Sequence, residues 1–256
     1  MIRVEGLTKI FKKKDGSSFR AVDNFCFTAE KGEIVSLLGV NGAGKTTMLR
    51  MLSTVLQPDE GDAILEGYSI RSNPDQVRGV IGFLSGDTGL YNRLTPREIL
   101  TYFGRLYNVP DREISHRITE MSDLLDMHEF LDRKVDVLST GMKQKVSICR
   151  SIIHNPPIMI FDEPTAGLDI LTARTIVSFI HKCKEDGKCI LFSTHIMREA
   201  ERIADKIEMI HQGRFLTEGT LTDLRKKTGL NDLDDIFVHY VNTSSVLEEE
   251  VTADEY

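Results

Sequence analysis

The run Gly39-Val40-Asn41-Gly42-Ala43-Gly44-Lys45-Thr46-Thr47 constrains this chain more than any other stretch. It matches the pattern G-x-x-x-x-G-K-S/T, in which a glycine turn curls backbone N–H groups around phosphate oxygens. The pattern has this meaning only between a strand and a helix. The apolar run Ile34 to Leu38 precedes it and reads as a buried strand. Met48, Leu49, Leu52, Val55 and Leu56 follow at helical spacing and predict a helix. Asn41, Gly42, Ala43, Gly44, Lys45, Thr46 and Thr47 are therefore candidate nucleotide ligands. Lys45 would reach the β- and γ-phosphates, and the Thr46 hydroxyl would help hold Mg²⁺. The sequence implies binding of a nucleoside triphosphate.

A second segment supplies the acids such a site needs. Ile158-Met159-Ile160-Phe161 leads into Asp162-Glu163. A buried parallel strand would deliver both carboxylates to its C-terminal edge, where α/β sheets bind ligands. Asp162 is placed to hold Mg²⁺, and Glu163 to polarise an attacking water. Further apolar runs at Ile190–Ser193 and Ile207–Ile210 alternate with helical patterns, which predicts an α/β fold with a largely parallel sheet. The first thirty residues carry alternating segments and turn signals, as expected of an antiparallel flap beside the nucleotide. Between about Leu90 and Asn155 strand signals vanish. Thr95-Pro96-Arg97-Glu98 is a capping box with proline at the first helical position. Ile114, Ile118, Met121, Leu124 and Leu125 mark a second helix, and Met142, Val146, Cys149, Ile152 and Ile153 a third. Leu138-Ser139-Thr140-Gly141-Met142-Lys143-Gln144 opens that third helix with free N–H groups and a hydroxyl that can face an anion.

In this order the segments resemble the ABC ATPase family, whose signature is usually written LSGGQ. The resemblance covers roughly residues 1 to 220. It implies a P-loop NTPase (RecA-like) α/β core, 1–89 and 156–220, with an antiparallel β flap and an inserted helical subdomain, 90–155. Residues 221–256 would add short amphipathic helices and a solvated acidic tail. By the same resemblance Phe11 stacks on adenine, with Val22 near the ribose. Ser139 and Gly141 face the γ-phosphate from the opposite subunit. Ala166-Gly167-Leu168-Asp169 is the loop that meets the partner, and His195 is the switch histidine at the γ-phosphate. The cofactors implied are ATP and Mg²⁺. The implied partners are a second ATPase subunit, most simply an identical copy, and an integral membrane permease. That places the chain in the cytoplasm, on the inner face of the cell membrane. The stretch from Ser85 to Tyr91 and the signature segment resemble subunits of bacterial exporters, particularly the Nat-type sodium and drug efflux group.

Two departures stand out. Gly86 occupies the position where the family carries a glutamine, leaving water, Ser85 or Asp87 to supply an oxygen there. Thr140 and Met142 replace the signature's first glycine and its glutamine.

Bulk properties narrow the role. Against 32 basic residues stand 39 acidic ones, a net charge of −7, so general nucleic-acid binding is not expected. Lys12-Lys13-Lys14, followed by Asp15-Gly16, reads as the solvated arm of a hairpin. Cys26, Cys149, Cys183 and Cys189 lack paired ligand spacing and suggest buried reduced thiols. No signal peptide and no membrane-spanning apolar run is visible. A soluble ABC ATPase acting on ribosomes or nucleic acid is the alternative. It would usually bring a second ATPase half, a coiled-coil insertion or zinc-binding cysteines. A P-loop kinase or GTPase would leave the signature and His195 unexplained, and no N/T-K-x-D motif is present.

Overall fold

A computed structural model describes residues 1–86 and 89–253, with side chains up to residue 244. Two sheets organise the chain. The first is antiparallel, in the order β2-β1-β4-β5. Its strands are β1 (Ile2–Lys12), β2 (Ser18–Ala29), β4 (Glu60–Leu65) and β5 (Tyr68–Ser69). The second has the order β10-β9-β3-β8-β7-β6. It comprises β3 (Ile34–Leu38), β6 (Ile81–Leu84), β7 (Ile158–Asp162), β8 (Cys189–Thr194), β9 (Lys206–His211) and β10 (Arg214–Gly219). All its pairings are parallel except that of β9 with β10.

Period-two alternation sends β3 into every core of the molecule. Val35 and Leu37 face the cluster shared with the antiparallel flap and α1 (Lys45–Leu52). Ile34 faces the cluster built on the helical insertion, and Leu38 the one beneath the C-terminal helices. Such a strand is buried on both faces, which is why it reads as a hydrophobic run interrupted only by the buried Ser36.

Beyond α2 (Pro74–Val80), the chain from β6 to β7 is helical, with α3 (Pro96–Leu106), α4 (Asp111–Leu125) and α5 (Thr140–Ile152). The expected capping box forms: the Thr95 hydroxyl accepts from the Glu98 N–H, and Glu98 accepts from the Thr95 N–H at 2.8 Å. On α4, Leu124 turns outward at 37% exposure, whereas Leu125 is buried. The helix expected through Val55 stops at Leu52. Thr54 has φ +60°, a left-handed residue that ends the helical path, and Val55 is left exposed.

The lysine cluster lies in the β1–β2 hairpin turn as expected. Three of the four cysteines are buried, and burial pushes the Cys183 and Cys189 thiols up to about 12. Cys26 is exposed, because it falls on the outer face of β2. After α6 (Ile170–Glu185) and α7 (Met197–Ile203), the chain ends in α8 (Leu221–Thr228) and α9 (Leu233–Ala253). Leu224, Leu233, Ile236 and Phe237 pack against β9 as expected of amphipathic helices. α9 carries the acidic segment as far as Ala253. Among the described residues no helix is long and apolar enough to cross a membrane.

Candidate functional site

Parallel β3, β7 and β8 end side by side and bring three loops together. From β3 comes the glycine turn Gly39 to Gly44, which feeds α1 without a side-chain cap. Its first-turn N–H groups are thus available to an anion. Gly44 has φ +109°, and a Cβ there would stand 2.3 Å from the Ala21 carbonyl oxygen. Only glycine lets the turn lie this close to the flap.

Lys45 is buried and donates to the carbonyls of Gly39 and Val40 at 2.7 and 3.2 Å. Its ammonium also lies 3.7 Å from Glu163 Oε1. Burial lowers its pKa, and the carboxylates of Glu163 and Asp162 partly offset that effect.

At the end of β7, Asp162 Oδ1 accepts from the Ser193 hydroxyl at 2.6 Å and from the Thr46 hydroxyl at 3.2 Å. Two hard oxygen donors so close suit Mg²⁺, which takes one or two protein oxygens and fills its octahedron with water and phosphate.

Glu163 departs from the strand at φ +49°. A non-glycine residue in the left-handed region is held there by its surroundings, and such strain gathers at functional sites. Its N–H donates to Ser193 Oγ at 3.1 Å, and its Oε1 lies 2.9 Å from His195 Nδ1.

A cleft of about 210 Å³ is lined by Phe11, Phe19, Ala21, residues 41–47 and Glu163. Phe11 lines this cleft, with its ring stacked on Phe19 at 5.7 Å between centroids. Phe19 itself is 46% exposed, a signal legible only once the hairpin register pairs it with Phe11. Val22, the residue expected near the ribose, is fully buried in the flap core and does not line the cleft. Register shifts in β1 around Lys9 turn Ala21 to the cleft and Val22 inward.

Ser139 and Gly141 lie at the start of α5 and do not line this cleft. Ser139 caps α5 by accepting from the Met142 N–H at 3.3 Å. Gly141 packs against α6, where a Cβ would meet the Thr172 side chain at 3.0 Å. Gln144 Nε2 donates to the Pro164 carbonyl at 2.8 Å, so α5 is tied directly to the loop after Glu163. Asp169 caps α6 from its carboxylate, accepting from the Leu171 and Thr172 N–H groups at 3.0 Å each. Gly86 is exposed with open space at its Cβ position, and Asp87 lies outside the described residues.

A family model described as "ABC transporter" matches residues 22–166. The chain belongs to the ABC transporter family. As an ABC ATP-binding subunit it is 43% identical over 239 residues to the ABC transporter ATP-binding protein NatA of Bacillus subtilis, covering 93% of this chain and 97% of that one. It is 33% identical over 232 residues to the daunorubicin/doxorubicin resistance ATP-binding protein DrrA of Streptomyces peucetius, covering 91% and 69%. The solved structure of an ATP-binding subunit of an ABC transporter superposes with a TM-score of 0.85 at 30% identity, covering 94% and 99%. A dimeric ATP-binding cassette in a post-hydrolysis state, bound to ADP and Pi, superposes with a TM-score of 0.77 at 27% identity, covering 86% and 98%. The fold is that of the ABC ATPase cassette, and the likeness extends to exporter-type relatives.

Proposed function

We propose that this chain binds and hydrolyses ATP with Mg²⁺ as one half of a head-to-tail dimer, and that the dimer drives a separate membrane permease that exports its cargo. The observation carrying this reading is the division of the site. One cleft gathers the glycine turn, Lys45, Thr46, Glu163 and two stacked phenylalanines, while Ser139 and Gly141 stand elsewhere. A second copy in twofold arrangement would bring its own Ser139 and Gly141 over that cleft.

In this mechanism Phe11 and Phe19 receive the adenine face, and the turn N–H groups with Lys45 hold the phosphates. Thr46 and Asp162 would hold Mg²⁺, which would supply charge neutralisation for the transferred phosphoryl oxygens. Glu163 accepts a hydrogen bond from the attacking water and aligns it with the γ-phosphorus. His195, 2.9 Å from Glu163, fixes the carboxylate, and as the switch histidine would contact the γ-phosphate. ATP bridging the two halves favours the closed dimer, and its hydrolysis releases them. Exporter relatives such as the doxorubicin resistance proteins favour efflux, with the cargo selected by the permease.

Gentle-detergent affinity purification of the tagged chain from its native cells, followed by mass spectrometry, tests this role. A multi-spanning membrane protein recovered in fixed ratio is the expected outcome. Recovery of ribosomes or nucleic acid alone would contradict it.

A further inference from the structure

Glu199 belongs to none of the motifs above, yet its carboxylate joins two of their loops. Oε1 accepts the Thr165 hydroxyl and Oε2 the Thr194 hydroxyl. Thr165 follows Glu163 by two residues, and Thr194 immediately precedes His195. The parallel ladder between β7 and β8 ends at the pair Asp162↔Ser193. Past that pair the sheet no longer sets the spacing of the two turns, and side chains take over. One link is the Glu163 N–H on Ser193 Oγ, a second the Glu163–His195 contact itself, and a third is Glu199. The Thr194 hydroxyl also accepts from the Ile196 N–H at 3.0 Å, so a single group fixes the turn that presents His195. Both threonines are buried, where a lost hydrogen-bond partner has consequences for geometry. Glu199 sits on α7, whose Ala200 and Ile203 are buried, so the carboxylate is anchored from a packed element rather than from a loop.

We propose that Glu199 is a positioning residue for hydrolysis: by clamping Thr165 to Thr194 it sets the separation of the Glu163 carboxylate and the His195 imidazole. This rests on the ATPase reading above. Glu199 lies outside the nucleotide cleft, so its effect falls on turnover and leaves nucleotide binding alone.

The test combines steady-state ATPase kinetics of the full chain with NMR of the His195 imidazole in nucleotide-free protein. Glu199→Ala lowers kcat on the order of 10-fold or more, because small misplacements of catalytic groups carry large rate effects. KM for ATP stays within about twofold, the split expected when only transition-state alignment is lost. Glu199→Gln restores most of the rate, since an amide can accept from one threonine and donate to the other. Thr165→Val reproduces part of the loss, adds little on top of Glu199→Ala, and serves alone should the alanine variant not fold. Glu199→Ala or Thr165→Val also shifts the His195 imidazole resonances. A wild-type kcat with unmoved His195 signals overturns the clamp. So does a rate loss that glutamine fails to rescue and that merely follows a fall in Tm. If the wild type hydrolyses no ATP, the ATPase reading fails, and the His195 resonances still decide whether the clamp exists.

Discussion

Glu163 Oε1 stands 2.9 Å from His195 Nδ1, and the same oxygen lies 3.7 Å from the Lys45 ammonium. Three loops from three parallel strands therefore converge on one carboxylate. That convergence explains why Glu163 tolerates a left-handed backbone. The strain is offset by contacts made from both sides, and the carboxylate is aimed across the glycine turn instead of along its own strand.

Lys45→Ala removes a buried cation placed among carbonyls at the mouth of the phosphate site. A charge-assisted hydrogen bond is worth about 1.5–3 kcal/mol, so ATP should bind about 10- to 150-fold more weakly. Titration with a fluorescent ATP analogue measures this. Unchanged affinity would mean that Lys45 does not meet the phosphates.

Gly141→Ala forces a methyl group into the Thr172 side chain, which is already bonded to Asp169 at 2.7 Å. Overpacking of this kind costs about 1–3 kcal/mol, or a few degrees in Tm for a chain this size. Thr172→Ala opens the space, so the double variant should recover stability lost by Gly141→Ala alone. Thermal unfolding of the four proteins in the cycle checks it; strictly additive losses would place the strain elsewhere.

Acid stability should carry the mark of His154. Burial lowers its pKa to about 4, its Nε2 lies 2.9 Å from the Ile81 carbonyl, and its ring stacks on Tyr107. Nδ1 is buried without a partner, so a second proton has nowhere favourable to go. The folded pKa lies below the unfolded value of about 6.5, so the unfolded chain binds more protons between pH 6.5 and 4. Stability is intact above that window and falls through it by up to about 3 kcal/mol. His154→Phe keeps the stack on Tyr107 and should flatten the slope in denaturant titrations across the window. An unchanged slope would remove His154 from the account.

Much of this was legible because it is local. The glycine turn, the capping box at Thr95 and the fully buried β3 each follow from residues adjacent in sequence. What escaped depends on register and on contacts between distant segments. Val22 turns inward because β1 slips against β2 near Lys9, and no local pattern announces that slip. Phe19 joins the cleft through the same pairing. The tie from Gln144 to Pro164 and the bridge at Glu199 each span segments that only the sheet brings together. Gly86 was visible as a departure, and the open space at its Cβ shows that packing does not demand glycine there.

The most direct test of the central claim is Glu163→Gln, assayed for ATP turnover and for association by light scattering with and without ATP. Glutamine keeps the shape of the side chain and loses its capacity as a base. The account predicts intact ATP binding, turnover reduced by on the order of 100-fold or more, and an ATP-dependent dimer that persists. Hydrolysis at the normal rate with no ATP-dependent dimer would contradict it.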